Sequence, residues 1–193
     1  MAVNSKNVFV GAPDQATTGA ILSAPTGTAL PSDVTTALNA AFKDSGYIGE
    51  DGLTLSPDRS TTSIKDWSRA EVRRVLDEFS AEISWEHLEL SAEALKNYFG
   101  TSNVTVTAAT VSTGTRIASK LNSTDLPEQS WVFQIKDGVR KIRIVVPRGQ
   151  ISAQGEVTFV ANDAVKLPVT LAALPDASGN SVYVYTDDGV FSA

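Results

Sequence analysis

Few side chains in this sequence are equipped for chemistry, and they do not converge. His87 is the only histidine and there is no cysteine. This excludes a multi-histidine metal cluster, a thiolate metal site, a cysteine nucleophile and a disulfide framework. His87 stands between Glu86 and Leu88, and no Gly-x-Ser-x-Gly elbow supplies a nucleophile for it. It reads as a structural histidine. Glu78, Glu82 and Glu86 recur every fourth residue. On a strand two positions span about 7 Å and four about 13 Å, so Ser80 occupies the place where an acid/base partner of Glu78 would stand. Asp187-Asp188-Gly189 and Asp176-Ala177-Ser178-Gly179-Asn180 mimic fragments of calcium loops but never reach the closing glutamate, so both read as turns. No glycine trio follows a strand and opens a helix, so a phosphate cradle is absent too. The expectation is no catalytic residue, no metal and no cofactor.

The 193 residues carry 16 Lys+Arg against 22 Asp+Glu, a formal charge of −6. An acidic balance disfavours gripping phosphates by bulk charge. The strongest basic feature is Arg140, Lys141, Arg143 and Arg148, where strand periodicity places Lys141 and Arg143 on one face. These charges either pair with acidic neighbours in the chain or form salt bridges between subunits. No run of 18 apolar residues occurs, and the N-terminus lacks the layout of a secretory signal. A soluble, unexported chain without a membrane anchor is expected. Ser and Thr supply 39 positions and Val 20, a composition suited to strands with polar outer faces.

The elements that would carry these residues are mostly strands. Residues 72–90 alternate an apolar set (Val75, Phe79, Ala81, Ile83, Trp85) with a polar set that includes Leu76, Glu78, Glu82 and Glu86. The acidic face is either solvated or an anionic lining. From Val104 onward strand follows strand (Val104–Ala109, Trp131–Lys136, Val139–Val146, Val157–Ala161, Val165–Leu174, Val182–Thr186), with Pro147-Arg148-Gly149 among the separators and Asp137-Gly138 as the clearest hairpin turn. Two short helices are expected, one behind the Ser32-Asp33 cap over Val34–Phe42 and one over residues 91–100 between Ser91 and Gly100. Ser56–Lys65 is too polar to pack and reads as a long exposed hairpin loop or a contact loop. Residues 1–30, punctuated by glycine and proline, read as an arm. Its apolar pieces, Val8-Phe9-Val10 and Ala20-Ile21-Leu22, need either the chain's own core or a neighbouring chain. The fold class is mainly β: an antiparallel sandwich or barrel with one or two short flanking helices.

The order Asn7-Val8-Phe9-Val10-Gly11, Asp51-Gly52-Leu53-Thr54-Leu55, Asp58-Arg59-Ser60, Ile64-Lys65-Asp66-Trp67, Leu95–Gly100 and Asp187-Asp188-Gly189-Val190-Phe191 resembles the major tail proteins (tail tube proteins) of long non-contractile-tailed bacteriophages infecting actinobacteria. The resemblance extends over nearly the whole chain. It implies a tail tube domain over 31–186, arms at 1–30 and 187–193, a long stacking loop at 47–67 and a flanking helix at 91–100. It further implies hexameric rings stacked into a hollow virion tube that conducts double-stranded DNA without specific binding. The tube would be assembled in the host cytoplasm with tape measure, tail terminator and tail tip proteins as partners.

On that footing Glu78, Glu82 and Glu86 are expected to face the channel. Inter-subunit contacts are expected at Val8, Phe9, Val10, Asp58, Arg59, Ile64, Trp67, Lys141, Arg143, Arg148, Val190 and Phe191. The alternative is a receptor- or carbohydrate-binding β-sandwich, for which Trp67 would be the exposed aromatic.

Overall fold

The computed structural model describes residues 8–14 and 20–190. Among these, β1 (Ala12–Pro13), β2 (Ile21–Pro25), β3 (Lys43–Asp44), β4 (Ile48–Lys65), β5 (Glu71–His87), β8 (Gln129–Asp137), β9 (Arg140–Gln154), β10 (Leu167–Leu174) and β11 (Tyr183–Asp187) form one antiparallel sheet. Its order is β3-β2-β8-β9-β10-β5-β4, with β1 also on β8 and β11 on β9. A separate ribbon pairs β6 (Val104–Thr107) with β7 (Arg116–Ser119). The single α-helix among the described residues, α1, spans Ala92–Phe99.

The large sheet folds over onto itself. β5 and β8 are separated by β10 and β9, which in a flat sheet would hold them about 14 Å apart. Yet the Trp85 ring centroid on β5 lies 5.4 Å from that of Trp131 and 5.4 Å from that of Phe133, both on β8. The enclosed core adds Ile21, Ile83, Val146, Val169 and Leu171 from four strands. Burying side chains of this size is the main source of stability, on the order of 2 kcal/mol each. α1 closes one side of this core. Ser91 Oγ caps it by accepting from the Ala94 amide at 3.2 Å, and Gly100, at φ 91°, ends it with its amide donating to Lys96 O. Asn97 anchors its buried face: Ser23 Oγ donates to Asn97 Oδ1 at 3.1 Å and Asn97 Nδ2 donates to Ser45 Oγ at 3.0 Å.

Four expectations are corrected. Ile21–Pro25 is an interior strand paired with β8, so residues 20–25 of the expected arm belong to the core; Ala20, Ile21, Leu22 and Ala24 are buried in their own chain. Val34–Phe42 is not helical. Asp33 does cap the amides of Thr35 and Thr36, but Arg143 Nη1 takes the carbonyls of Asp33 and Thr36, at 2.7 Å each, which a helix would have used for its own bonds. Pro147-Arg148-Gly149 does not end a strand. β9 runs through it, because Pro147, which has no amide to offer, sits at a bulge opposite Ser130, whose hydroxyl donates to Pro147 O at 2.7 Å. A Cβ on Gly149 would meet Leu171 Cδ1 at 2.9 Å and Trp131 Cδ1 at 3.1 Å, so any larger residue would have to displace these buried side chains. Finally, Val157–Ala161 forms no strand, and Phe159 and Val160 are exposed.

Candidate assembly surfaces

The 47–67 segment is a strand rather than a loop. β4 runs through Ile48–Lys65 and pairs with β5 along its length. Alternation is confined to Leu53-Thr54-Leu55-Ser56, and beyond it the partner strand satisfies the backbone of residues too polar to pack. Because β10 pairs with β5 only over Glu82–His87, the hairpin beyond Ala81 projects as a two-stranded ribbon. From Ser56 to Ser80 nearly every residue is exposed, including the apolar Ile64, Trp67, Val72, Leu76 and Phe79. Trp67 is 101% exposed at the tip. An isolated two-stranded ribbon is marginal in water, so this one fits a second surface.

The hairpin ladder shifts register at three places: one near the tip, where Lys65 pairs with Glu71 and leaves Val72 extra, and two that set the faces of its inner part. Ser60 pairs with Glu78 and Thr61 with Leu76, leaving Asp77 extra. Parity therefore flips there: Leu76 shares the face of Phe79, while Val75 shares that of Glu78, the reverse of simple alternation. Glu78, Glu82 and Glu86 remain on one face, as the period requires. Their cross-strand neighbours are Ser60, Ser56, Ala172 and Pro168. Glu86 lies 3.8 Å from Lys166 Nζ, and at the far side of this face Arg148 is held by both carboxylate oxygens of Glu128. Glu78 and Glu82 are exposed, and neither forms an ion pair among the described residues. The second bulge is larger. Ile48 pairs with His87 and Leu53 with Trp85, so Gly49–Gly52 bows out opposite Glu86 alone and presents Glu50 and Asp51 to solvent.

The other expected contact residues are dispersed. Arg59 lies on the hairpin with its guanidinium 4.6 Å over the Phe79 ring, and Asp58 is on the acidic face beside Ser80. Val8 and Val10 are exposed, and Phe9 packs beneath Arg140 at 5.2 Å. Lys141 and Val190 are exposed, and Arg148 is half-exposed. Phe191 lies outside the described residues. Arg143 is corrected from an inter-subunit contact to an internal staple: it is 6% exposed and gives its donors to Asp33 O, Thr36 O and Gln134 Oε1. Burial lowers its pKa, and the nearby Asp33 charge opposes that shift. Arg143 alternates with Ile142 and Ile144, so a cation inside the fold had no sequence signal of its own.

His87 and the aspartates of the two calcium-loop fragments are engaged structurally. His87 is fully buried, with Nε2 accepting from Trp85 Nε1 at 3.0 Å, and burial holds its pKa down to about 4. Asp187 and Asp188 accept from the amides of Gly189 and Val190, and Asp176 accepts from Tyr183 Oη and the amides of Ser178 and Asn180, as turns do. Among the described residues no group of three or more His, Asp or Glu is placed to hold a metal, and no helix is long and apolar enough to cross a membrane.

The described residues thus form a wrapped antiparallel sheet with a projecting, largely exposed ribbon. Residues 1–192 match the family described as phage tail tube protein, and the chain belongs to that family. It is thus a phage structural protein of the virion tail, a component of the tail tube. The anti-feeding prophage cap, the AFP tube terminating cap solved by cryo-EM, is similar over 97% of this chain and 100% of that one, at 11% identity and a TM-score of 0.43. No curated protein matches the chain.

Proposed function

We propose that six copies close into a ring and that rings stack into the hollow tube through which double-stranded DNA leaves the capsid of a phage infecting actinobacteria. Assembly takes place in the host cytoplasm around a tape measure protein, between tail terminator and tail tip proteins. The chain itself catalyses nothing.

The observation that carries this reading is the face shared by β4, β5 and β10. Glu78 and Glu82 stand on it with no ion pair among the described residues, beside serine, threonine and alanine neighbours. A conduit must not retain its cargo, and each basic contact to a phosphate adds affinity through counterion release. Carboxylates and hydroxyls lining the bore leave the DNA free to move. β4 is also an edge strand, with its outer backbone unpaired over most of 18 residues. Such an edge is a template for pairing with another chain, which supports lateral joining of copies. Negative-stain electron microscopy of the purified protein tests the reading: rings or hollow tubes of uniform width are expected, and a chain that stays monomeric at high concentration contradicts it.

A further inference from the structure

The β4–β5 hairpin is polarised in charge along its length. Its outer part, residues 59–74, carries Arg59, Lys65, Arg69, Arg73 and Arg74 against only Asp66 and Glu71. Its inner parts, 48–58 and 75–87, carry Glu50, Asp51, Asp58, Asp77, Glu78, Glu82 and Glu86 with no lysine or arginine. Tip and base are about 50–60 Å apart for a strand of this length.

The tip is a built turn. Asp66 Oδ1 accepts from Ser68 Oγ at 2.6 Å and from the Ala70 amide at 3.0 Å, while the Arg69 amide donates to Asp66 O at 3.0 Å. This directs Trp67 fully into solvent. Arg69 adopts φ 66°, the left-handed conformation that glycine takes without strain, and it is the only non-glycine residue to do so among those described. A position that favours glycine on backbone grounds instead carries an arginine two residues from the exposed indole.

At the opposite end, the Gly49–Gly52 bulge forms one wall of a cavity of about 340 Å³. Ala12, Pro13, Ala20, Ile48, Leu53 and Ile135 contribute its apolar lining, Glu50 and Asp51 stand on its rim, and none of the residues lining it is basic. It has the size and character to take an indole, with carboxylates placed to meet flanking cations.

We propose that the hairpin tip is a plug, Trp67 flanked by Lys65 and Arg69, that seats in the acidic-rimmed cavity at the hairpin base of a second copy of this chain. Plug and socket lie at opposite ends of one element, so the contact is head-to-tail and propagates as an open stack rather than closing as a dimer. The inference rests on the tube reading above and assigns residues to its ring-to-ring contact.

The absence of cysteine makes a direct test available. Ala70→Cys at the tip combined with Ala12→Cys in the socket, in the full chain under mild oxidation, is expected to give a ladder of multimers on a non-reducing gel that collapses with reductant. Each single variant should give nothing beyond a dimer. In parallel, Trp67→Ala and Arg69→Gly should leave the fold and the rings intact, since Arg69→Gly relieves backbone strain, while mean tube length falls at least tenfold. Tubes that persist at normal length in both variants, with no ladder from the double cysteine variant, overturn the plug and socket and leave the tube standing. A wild-type chain that forms neither rings nor tubes overturns both.

Discussion

Trp85 donates its indole N–H to His87 Nε2 across 3.0 Å, and the two side chains lie side by side on the interior face of β5. That bond places the proton of the neutral ring on Nδ1, which has no hydrogen-bond partner among the described residues, while the cross-strand neighbours of His87, Ile48 and Leu167, are apolar. Charging the ring inside this enclosure is costly, which is why the pKa falls to about 4 from the ordinary 6.5.

The sign of the resulting pH dependence is fixed. Above about pH 6.5 the ring is neutral in both folded and unfolded chains. As pH falls toward 4 only the unfolded chain takes up the proton, and stability declines by about 3 kcal/mol over that window. Urea unfolding at a series of pH values should show this loss in the wild type and lack it in His87→Gln. Carboxylates titrate in the same range, so the difference between the two curves is the relevant quantity. Parallel curves would show that His87 is not the sensor.

Arg143→Met should lower folding stability by about 2–4 kcal/mol, because it strands the carbonyls of Asp33 and Thr36 in a partly buried site. Denaturant unfolding gives the magnitude. Since the residue faces inward, the tubes formed by whatever fraction folds should have normal width. Stable protein with defective tubes would return Arg143 to the subunit interface.

Replacing Glu78, Glu82 and Glu86 together by lysine should leave the fold intact, as all three lie off the sealed core. Tubes carrying the change should slow or trap DNA during ejection, and added salt should relieve the block, as expected for phosphate contacts. Ejection at the wild-type rate in low salt would remove these residues from the bore.

Hydrogen exchange should separate arm from core within the first thirty residues. Amides of Ile21–Pro25 that bond to β8 should exchange only with global unfolding, whereas those of Val8–Ala12, held by a two-residue pairing, should exchange early in the free chain. Assembly should then slow exchange at Val8–Ala12. Equal rates before and after assembly would take this segment out of the inter-subunit contacts.

The strands were legible in the sequence wherever apolar alternation was backed by a turn, as at Asp137-Gly138 between β8 and β9. Three kinds of information were not. Ser56–Lys65 has no apolar period because both faces of the ribbon are exposed, so nothing local marks it as a strand. The extra residue at Asp77 inverts the faces of Val75 and Leu76, and a bulge without glycine or proline leaves no trace in the pattern. The capping signal at Asp33 was real, and hydrogen bonds led by Thr35 lower its carboxyl to about 2, but a distant arginine determined what the following backbone did. The acidic face was readable because Glu78, Glu82 and Glu86 all lie on one side of that bulge. The socket was not, since it joins β1, Ala20, β4 and β8.

The central claim is a tube whose bore is lined by the β4–β5–β10 face, and a cryo-EM reconstruction of tubes grown from the purified chain tests it most directly. The account predicts six subunits per ring with Glu78 and Glu82 pointing into an open channel. A reconstruction with that face turned to the outer surface, or packed against a neighbouring subunit away from the channel, would contradict it.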